Sequence, residues 1–218
     1  MSTVSSNANP TAVLPGQIAD ELRTSILNQT DAPGSSITEA AVAVRFGVAR
    51  PTARLAIDKL VADGLLRREA HRAARVPQLT RDDIIDLYDN RAVVESAAMA
   101  SLAASATVPP AALQAHRALT ATDDFAQHDI AFHRALVAGQ QSPRLAHMHE
   151  LLMGEIELCI GQVQAARLLS STEIARQHQG ILDAIIAGDA DAAATLTRDH
   201  IAGARDRLLA HLDRKPQD

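Results

Sequence analysis

Apolar residues recur at helical spacing along most of this chain, and a strand-like pattern is confined to one short stretch. Ile18, Leu22 and Ile26 recur every four residues and predict a helix from about Gln17 to Asn28. The turn Asp31-Ala32-Pro33-Gly34 leads to Ser36-Ile37-Thr38-Glu39, which has the form of a capping box, a hydroxyl followed three residues later by a carboxylate. A short helix is then predicted over Ala40–Arg45, followed by a sharp turn at Phe46-Gly47-Val48, where Gly47 can take a positive φ. A further helix starts near Arg50, with Pro51 in its first turn, and ends at Gly64; Leu55, Ile57, Leu60 and Val61 form its expected buried side. Leu65–Arg68 and Arg75–Pro77 predict two short strands joined by a basic loop.

After Pro77–Thr80, which reads as a linker, everything is helical. Thr80 can cap the next helix, with Asp82 and Asp83 at its positive end. The predicted spans are 81–104, 111–119, 123–138, 143–165, 172–187 and 189–212, punctuated by Val108-Pro109-Pro110, by Gly139–Pro143 and by Gly188. The fold expected is mainly α: a winged helix-turn-helix over 16–77, then an all-α bundle of six or seven helices over 81–213. Residues 1–15, rich in Ser, Asn, Ala and Pro, are expected to be a disordered tail.

Charge sharpens the first half of that reading. From Arg45 to Arg75 there are eight Lys/Arg and three Asp/Glu, a balance of +5 against −5 for the whole chain. One basic segment in an acidic chain suits a DNA-binding module joined to something else. Arg50 and Arg54, four apart, share one helical face that could enter a major groove, with Arg45 and Thr52 nearby as further candidate contacts. Arg72 and Arg75, in the wing, could reach phosphate or a minor groove, or be ordinary loop arginines. One helix-turn-helix covers only half a site, so a homodimer on a palindromic operator in double-stranded DNA is the expected arrangement.

Composition narrows the remainder. The chain is 47% hydrophobic with 2% aromatics, which suits closely packed helices. No run is long enough to span a membrane and the start lacks the form of a signal peptide, so a cytoplasmic protein is expected. The single Cys159 lies in an apolar helix with Leu151, Leu152, Ile156 and Ile160 and reads as a buried structural thiol.

Asp129 and His133, four apart, project from one face of one predicted helix, while His178 and His200 lie on two others. Convergence of one carboxylate and three imidazoles would suit a divalent cation such as Zn²⁺, Ni²⁺ or Mn²⁺. Spacing alone leaves structural histidines as the alternative; His71, His116, His128, His147, His149 and His211 are expected to be surface or satisfied residues. Open metal positions can also activate water in a hydrolase, but no spare Glu or Asp beside the ligand motifs offers an obvious general base.

The segment Ala43–Arg54, with Leu60-Val61-Ala62-Asp63-Gly64-Leu65, resembles the N-terminal domain of GntR-family transcriptional regulators. Asp89–Glu95, Asp129–His133 with Gly139–Leu145, His178–Ile185 and Asp199-His200-Ile201 resemble the C-terminal ligand domain of the FadR-type subfamily. The resemblance, over about Gln17–Leu212, implies an effector-controlled transcription factor, most often a repressor relieved by ligand. It implies that Asp129, His133, His178 and His200 bind a divalent metal, and that Arg91 helps hold a small carboxylate effector. A salt bridge from Arg91 to Glu95 or Asp89 is the structural alternative, and a helical domain that only dimerises is the alternative for the second half. The chain departs from the family pattern at Ala40, Ala49 and Ala73, where arginine, serine and glycine are usual.

Overall fold

The computed structural model describes residues 14–119, 121 and 125–214. The expected tail over 1–15 and the expected helix start at 123 therefore fall largely outside the described residues. Helix α1 (Pro15–Leu27) is followed by strand β1 (Ser36–Ile37), helices α2 (Glu39–Phe46) and α3 (Arg50–Ala62), and strand β2 (Ala74–Arg75). Six helices follow: α4 (Arg81–Ala104), α5 (Pro110–Leu119), α6 (Ala126–Gly139), α7 (Pro143–Ala165), α8 (Ser171–Ile186) and α9 (Ala190–Leu212). Among the described residues the helical part thus has six helices.

Ser36 does not cap α2. Its backbone pairs with Arg75 in a two-stranded antiparallel sheet, and Thr38 caps instead, its hydroxyl accepting from the Ala41 amide at 3.1 Å. The wing also differs from the expected hairpin. β2 pairs with β1, and the Leu65–Arg68 stretch contributes only a bridge from Arg67 to Arg75. Gly47 ends α2 at φ 64° and Gly64 follows α3 at φ 78°, both left-handed as their turns require. Thr80 and Asp83 form a reciprocal box at the start of α4, with Asp83 Oδ2 accepting from the Thr80 amide at 2.9 Å.

Helix α3 corrects one expectation about its buried side. Ala53, Ala56, Ile57 and Leu60 are buried, whereas Leu55 is 59% exposed. At 100° per residue, Leu55 lies about 160° from Ile57, which is in the core, so both cannot face inward. One apolar core runs from α1 and α3 through Tyr88 of α4 and the middle of α7 to Leu208 of α9. A second, around Met99, Phe132, Leu136 and Ile185, packs α4, α6 and α8 together. Cys159 sits in the first core at 0% exposure, where burial pushes its thiol up to about 12, as expected of a structural thiol.

Candidate functional site

α6, α8 and α9 bring four side chains together. Asp129 and His133 stand one turn apart on α6, and both face the core because Ile130, Phe132 and Leu136 anchor that side of the helix. His178 comes from α8, stacked on Phe132 with ring centroids 3.8 Å apart, and His200 comes from α9. One potential ligand atom from each lies within 4.8 Å of those of the other three, and all four residues are buried. His178 Nε2 is 3.1 Å from Asp129 Oδ1, and His133 Nε2 is 3.2 Å from His200 Nε2.

The other ring nitrogens orient the site. His133 Nδ1 lies 2.6 Å from Glu95 Oε2, and His200 Nδ1 lies 2.7 Å from Gln177 Oε1. A proton on Nδ1 in each ring leaves Nε2 as a lone-pair donor, the arrangement by which second-layer groups orient metal-binding imidazoles. Several polar atoms here are buried without a well-aligned hydrogen bond: both nitrogens of His178, Asp129 Oδ1 and His133 Nδ1. Burial lowers the His178 pKa to about 4 and holds His200 well below its ordinary value, so both rings are neutral at pH 7. Asp129 is held below the usual carboxylate range by its imidazole neighbours, against the opposing effect of burial. Neutral rings at His178 and His200 and an ionised Asp129 suit a divalent cation, and a buried set of one carboxylate and three imidazoles fits one.

Arg91 lies beside this cluster, 1% exposed. Its Nε donates to Glu95 Oε1 at 2.8 Å, so the ion pair to Glu95 is present, whereas Asp89 pairs with Arg205 instead. Arg91 Nη2 has no hydrogen-bond partner, and neither has the buried hydroxyl of Tyr88. Both residues, with Asp129 and His200, line the polar side of a narrow cavity; Phe125, Ile160, Leu169 and Ile174 line its apolar side. The space holds about one water molecule.

Glu95 is the residue that sequence reasoning undervalued. It sits at 0% exposure against Arg91, His133 and His149, whose Nε2 is 3.0 Å from Oε1. So a carboxylate stands beside the ligand cluster, but it is not a spare one. Its partners Arg91, His133 and His149 hold it ionised despite burial, and occupy it. The signal was present: Glu95 follows Arg91 by four on the core-facing stripe of α4.

The basic segment presents a different surface. Arg50, in the first turn of α3, is exposed and makes no ion pair among the described residues. Arg54 is 64% exposed, held loosely by Glu39 at 3.8 Å and Asp58 at 3.7 Å. Thr52 is half-buried in the same turn. Arg45 pairs with Asp31 at 3.1 Å and lies over the Phe46 ring. Arg72 pairs with Glu69 at 2.9 Å in the exposed wing loop, and Arg75 donates to the Gly34 carbonyl at 3.0 Å. Apart from Thr52, these are water-facing side chains, able to exchange weak partners for phosphates or base edges.

Comparison with known proteins joins the two regions. Residues 14–76 match the model of the bacterial regulatory proteins of the gntR family, and residues 86–203 match the FCD domain. The transcriptional repressor RspR of Escherichia coli K12 is 28% identical over 214 residues, covering 91% of this chain and 90% of that protein. A GntR regulator from Rhodococcus sp. RHA1 with a known crystal structure superposes with a TM-score of 0.74 at 27% identity, covering 90% of this chain and 97% of the other. Escherichia coli McbR shares the fold, with a TM-score of 0.72 at 17% identity, covering 93% of this chain and 100% of that one. RspR and the Rhodococcus protein are transcriptional regulators, not enzymes. No helix of the described residues is long and apolar enough to cross a membrane.

Proposed function

Because the chain belongs to the GntR family of transcriptional regulators and carries its FCD domain, we propose that it is a repressor whose DNA affinity is set by a small organic acid bound beside a divalent metal. The carrying observation is the convergence of Asp129, His133, His178 and His200, buried and with their ligand atoms within 4.8 Å of one another. These four residues hold Zn²⁺, Ni²⁺ or Mn²⁺, and the metal supplies a Lewis-acidic position for an effector carboxylate. Arg91 adds a guanidinium whose Nη2 lacks a partner, and it fixes the carboxylate's orientation. The cavity has to widen to admit an organic acid. That widening is a natural source of two conformations with different ligand affinity, which any ligand control of DNA binding requires.

In this reading residues 16–77 form the DNA-binding domain and 81–213 the effector-binding and dimerising domain. The partner is a palindromic operator, bound by a cytoplasmic homodimer through Arg50, Thr52 and Arg54, with Arg45, Arg72 and Arg75 on the backbone or minor groove. Ligand binding relieves repression.

The test is thermal-shift screening of the purified chain against small carboxylic acids, with and without chelator, alongside metal analysis. Stoichiometric metal and an acid that raises Tm only with metal present support the reading. His178→Ala then lowers metal content and Tm together. Arg91→Lys binds metal and DNA normally and loses most of the ligand response, because lysine lacks the bidentate fork. A wild type that cannot be loaded with metal leaves the helical domain as a dimerisation unit with structural histidines.

A further inference from the structure

Helix α7 meets the DNA-binding end of the molecule along one stripe: Gly154, Glu157 and Gly161, at i, i+3 and i+7. A Cβ on Gly154 would overlap the backbone of Asp63 and Gly64, at the end of α3. A Cβ on Gly161 would overlap the backbone of Leu27, at the end of α1. The two glycines therefore let α7 lie directly on the backbone of the elements that carry and support the recognition helix.

Between them stands a carboxylate that is 1% exposed. Glu157 Oε2 takes a guanidinium nitrogen of Arg23 from α1, and Glu157 Oε1 lies 2.6 Å from Arg134 Nη1 of α6. Arg23 extends the chain of charges to Asp63 Oδ2, at 2.5 Å, and Asp63 is the C-cap residue of α3. Arg134 is the residue after His133. Burying a carboxylate costs several kcal/mol unless it is paired, and an apolar seam would have been simpler. A hydrogen-bonded ion pair is directional where apolar contact is not, so it can fix the angle of one unit on another.

We propose that Glu157 is a positioning residue for DNA binding: through Arg23 and Asp63 it pins the recognition helix to α7, and through Arg134 to the helix that carries Asp129 and His133. The proposal rests on the seam and on DNA binding, its second readout also on the homodimer proposed above, and it stands or falls separately from metal and effector. The glycines set the closeness of the two units and Glu157 sets their angle.

The experiment uses the full chain with spin labels at Val44→Cys on α2 and Ile186→Cys on α8, both exposed positions. Cys159 is buried and stays unlabelled. Labelled chains are diluted in unlabelled ones, so that pulsed electron paramagnetic resonance reads distances within one chain. The parent gives one narrow distance. Adding Arg23→Gln broadens or shifts it, because the link to α1 and Asp63 is gone. That side chain is 22% exposed and its loss leaves Arg134 on Glu157, so the fold survives even if Glu157→Gln does not. A distribution in Arg23→Gln as narrow and as placed as the parent's overturns the proposal.

A second readout separates positioning from mere stability. On an operator selected from random DNA, the wild type discriminates against half-sites moved by one base pair. Arg23→Gln narrows that discrimination by about tenfold with Tm within a few degrees of wild type. Undiminished discrimination in the variant, or a wild type indifferent to spacing, counts against a positioning role.

Discussion

Two arginines of this chain each stand four residues before an acid on the same helix, and they do opposite things. Arg54 and Asp58 lie on the outer face of α3, 3.7 Å apart, with side chains 64% and 43% exposed. Arg91 and Glu95 lie inside the bundle, 2.8 Å apart, 1% and 0% exposed. The spacing is identical and says only that each pair shares a helix face. What differs is the solvent. In water the first pair is worth little and is readily exchanged for another anion such as a DNA phosphate. In the core neither member of the second can be removed without stranding the other. A surface that must meet variable partners keeps its charges loosely held; a site that must keep one geometry locks them.

Neutralising the acid of each pair tests that contrast, and the largest effect is expected in the core. Glu95→Gln removes the charge that faces Arg91, His133 and His149 at once. Leaving a buried guanidinium unpaired costs about 3–5 kcal/mol. Urea unfolding should show a loss of that order at neutral pH, and metal binding should weaken because His133 loses its orienting partner. A loss below about 1 kcal/mol would mean that the interior is wetter than its burial suggests.

The same contrast explains what was legible in the sequence. Local features were readable because they are set by neighbours along the chain. Gly47 and Gly64 closed their helices, Thr80 capped α4, and the helix periods held to within a few residues. The four metal candidates were legible from residue type and spacing, but only a resemblance favoured a metal over structural histidines, since nothing in one helix shows that α6, α8 and α9 converge. Ser36 misled because its hydroxyl suits a cap, while its backbone is claimed by Arg75 from across the sheet. Leu55 misled because it is apolar and yet lies about 160° around α3 from Ile57, which holds the core position. Glu157 was not legible, since its partners lie 134 positions away at Arg23 and on another helix at Arg134.

On the outer face the effect should appear in binding and not in folding. Arg50→Ala and Arg54→Ala should each weaken operator affinity by about 1–3 kcal/mol if they make bidentate contacts to bases. Both residues are exposed, so their Tm should remain near wild type. If they touch phosphate instead, the loss should be similar on all sequences and the salt dependence of binding should become shallower. Gel-shift titration at several salt concentrations tells these cases apart, and unchanged affinity in both variants would remove α3 from the interface.

The smallest effect on folding should come from Asp58→Asn, the surface counterpart of Glu95→Gln. Asp58 faces Arg54 at 3.7 Å and Arg68 at 2.5 Å, and the amide can still accept a hydrogen bond from Arg68. Exposed pairs contribute about 0.2–1 kcal/mol, so the stability change should stay within about 0.5 kcal/mol. DNA binding should move the other way. Losing a negative charge beside Arg54 reduces repulsion with the phosphate backbone, and affinity should rise slightly at low salt and converge on wild type as salt is added. The two neutralisations then differ in sign as well as size, one loosening the core and the other sparing the fold while tightening a surface contact. Should Asp58→Asn instead destabilise by more than about 1 kcal/mol, Asp58 would be structural through Arg68, and α3 would owe part of its placement to that pair.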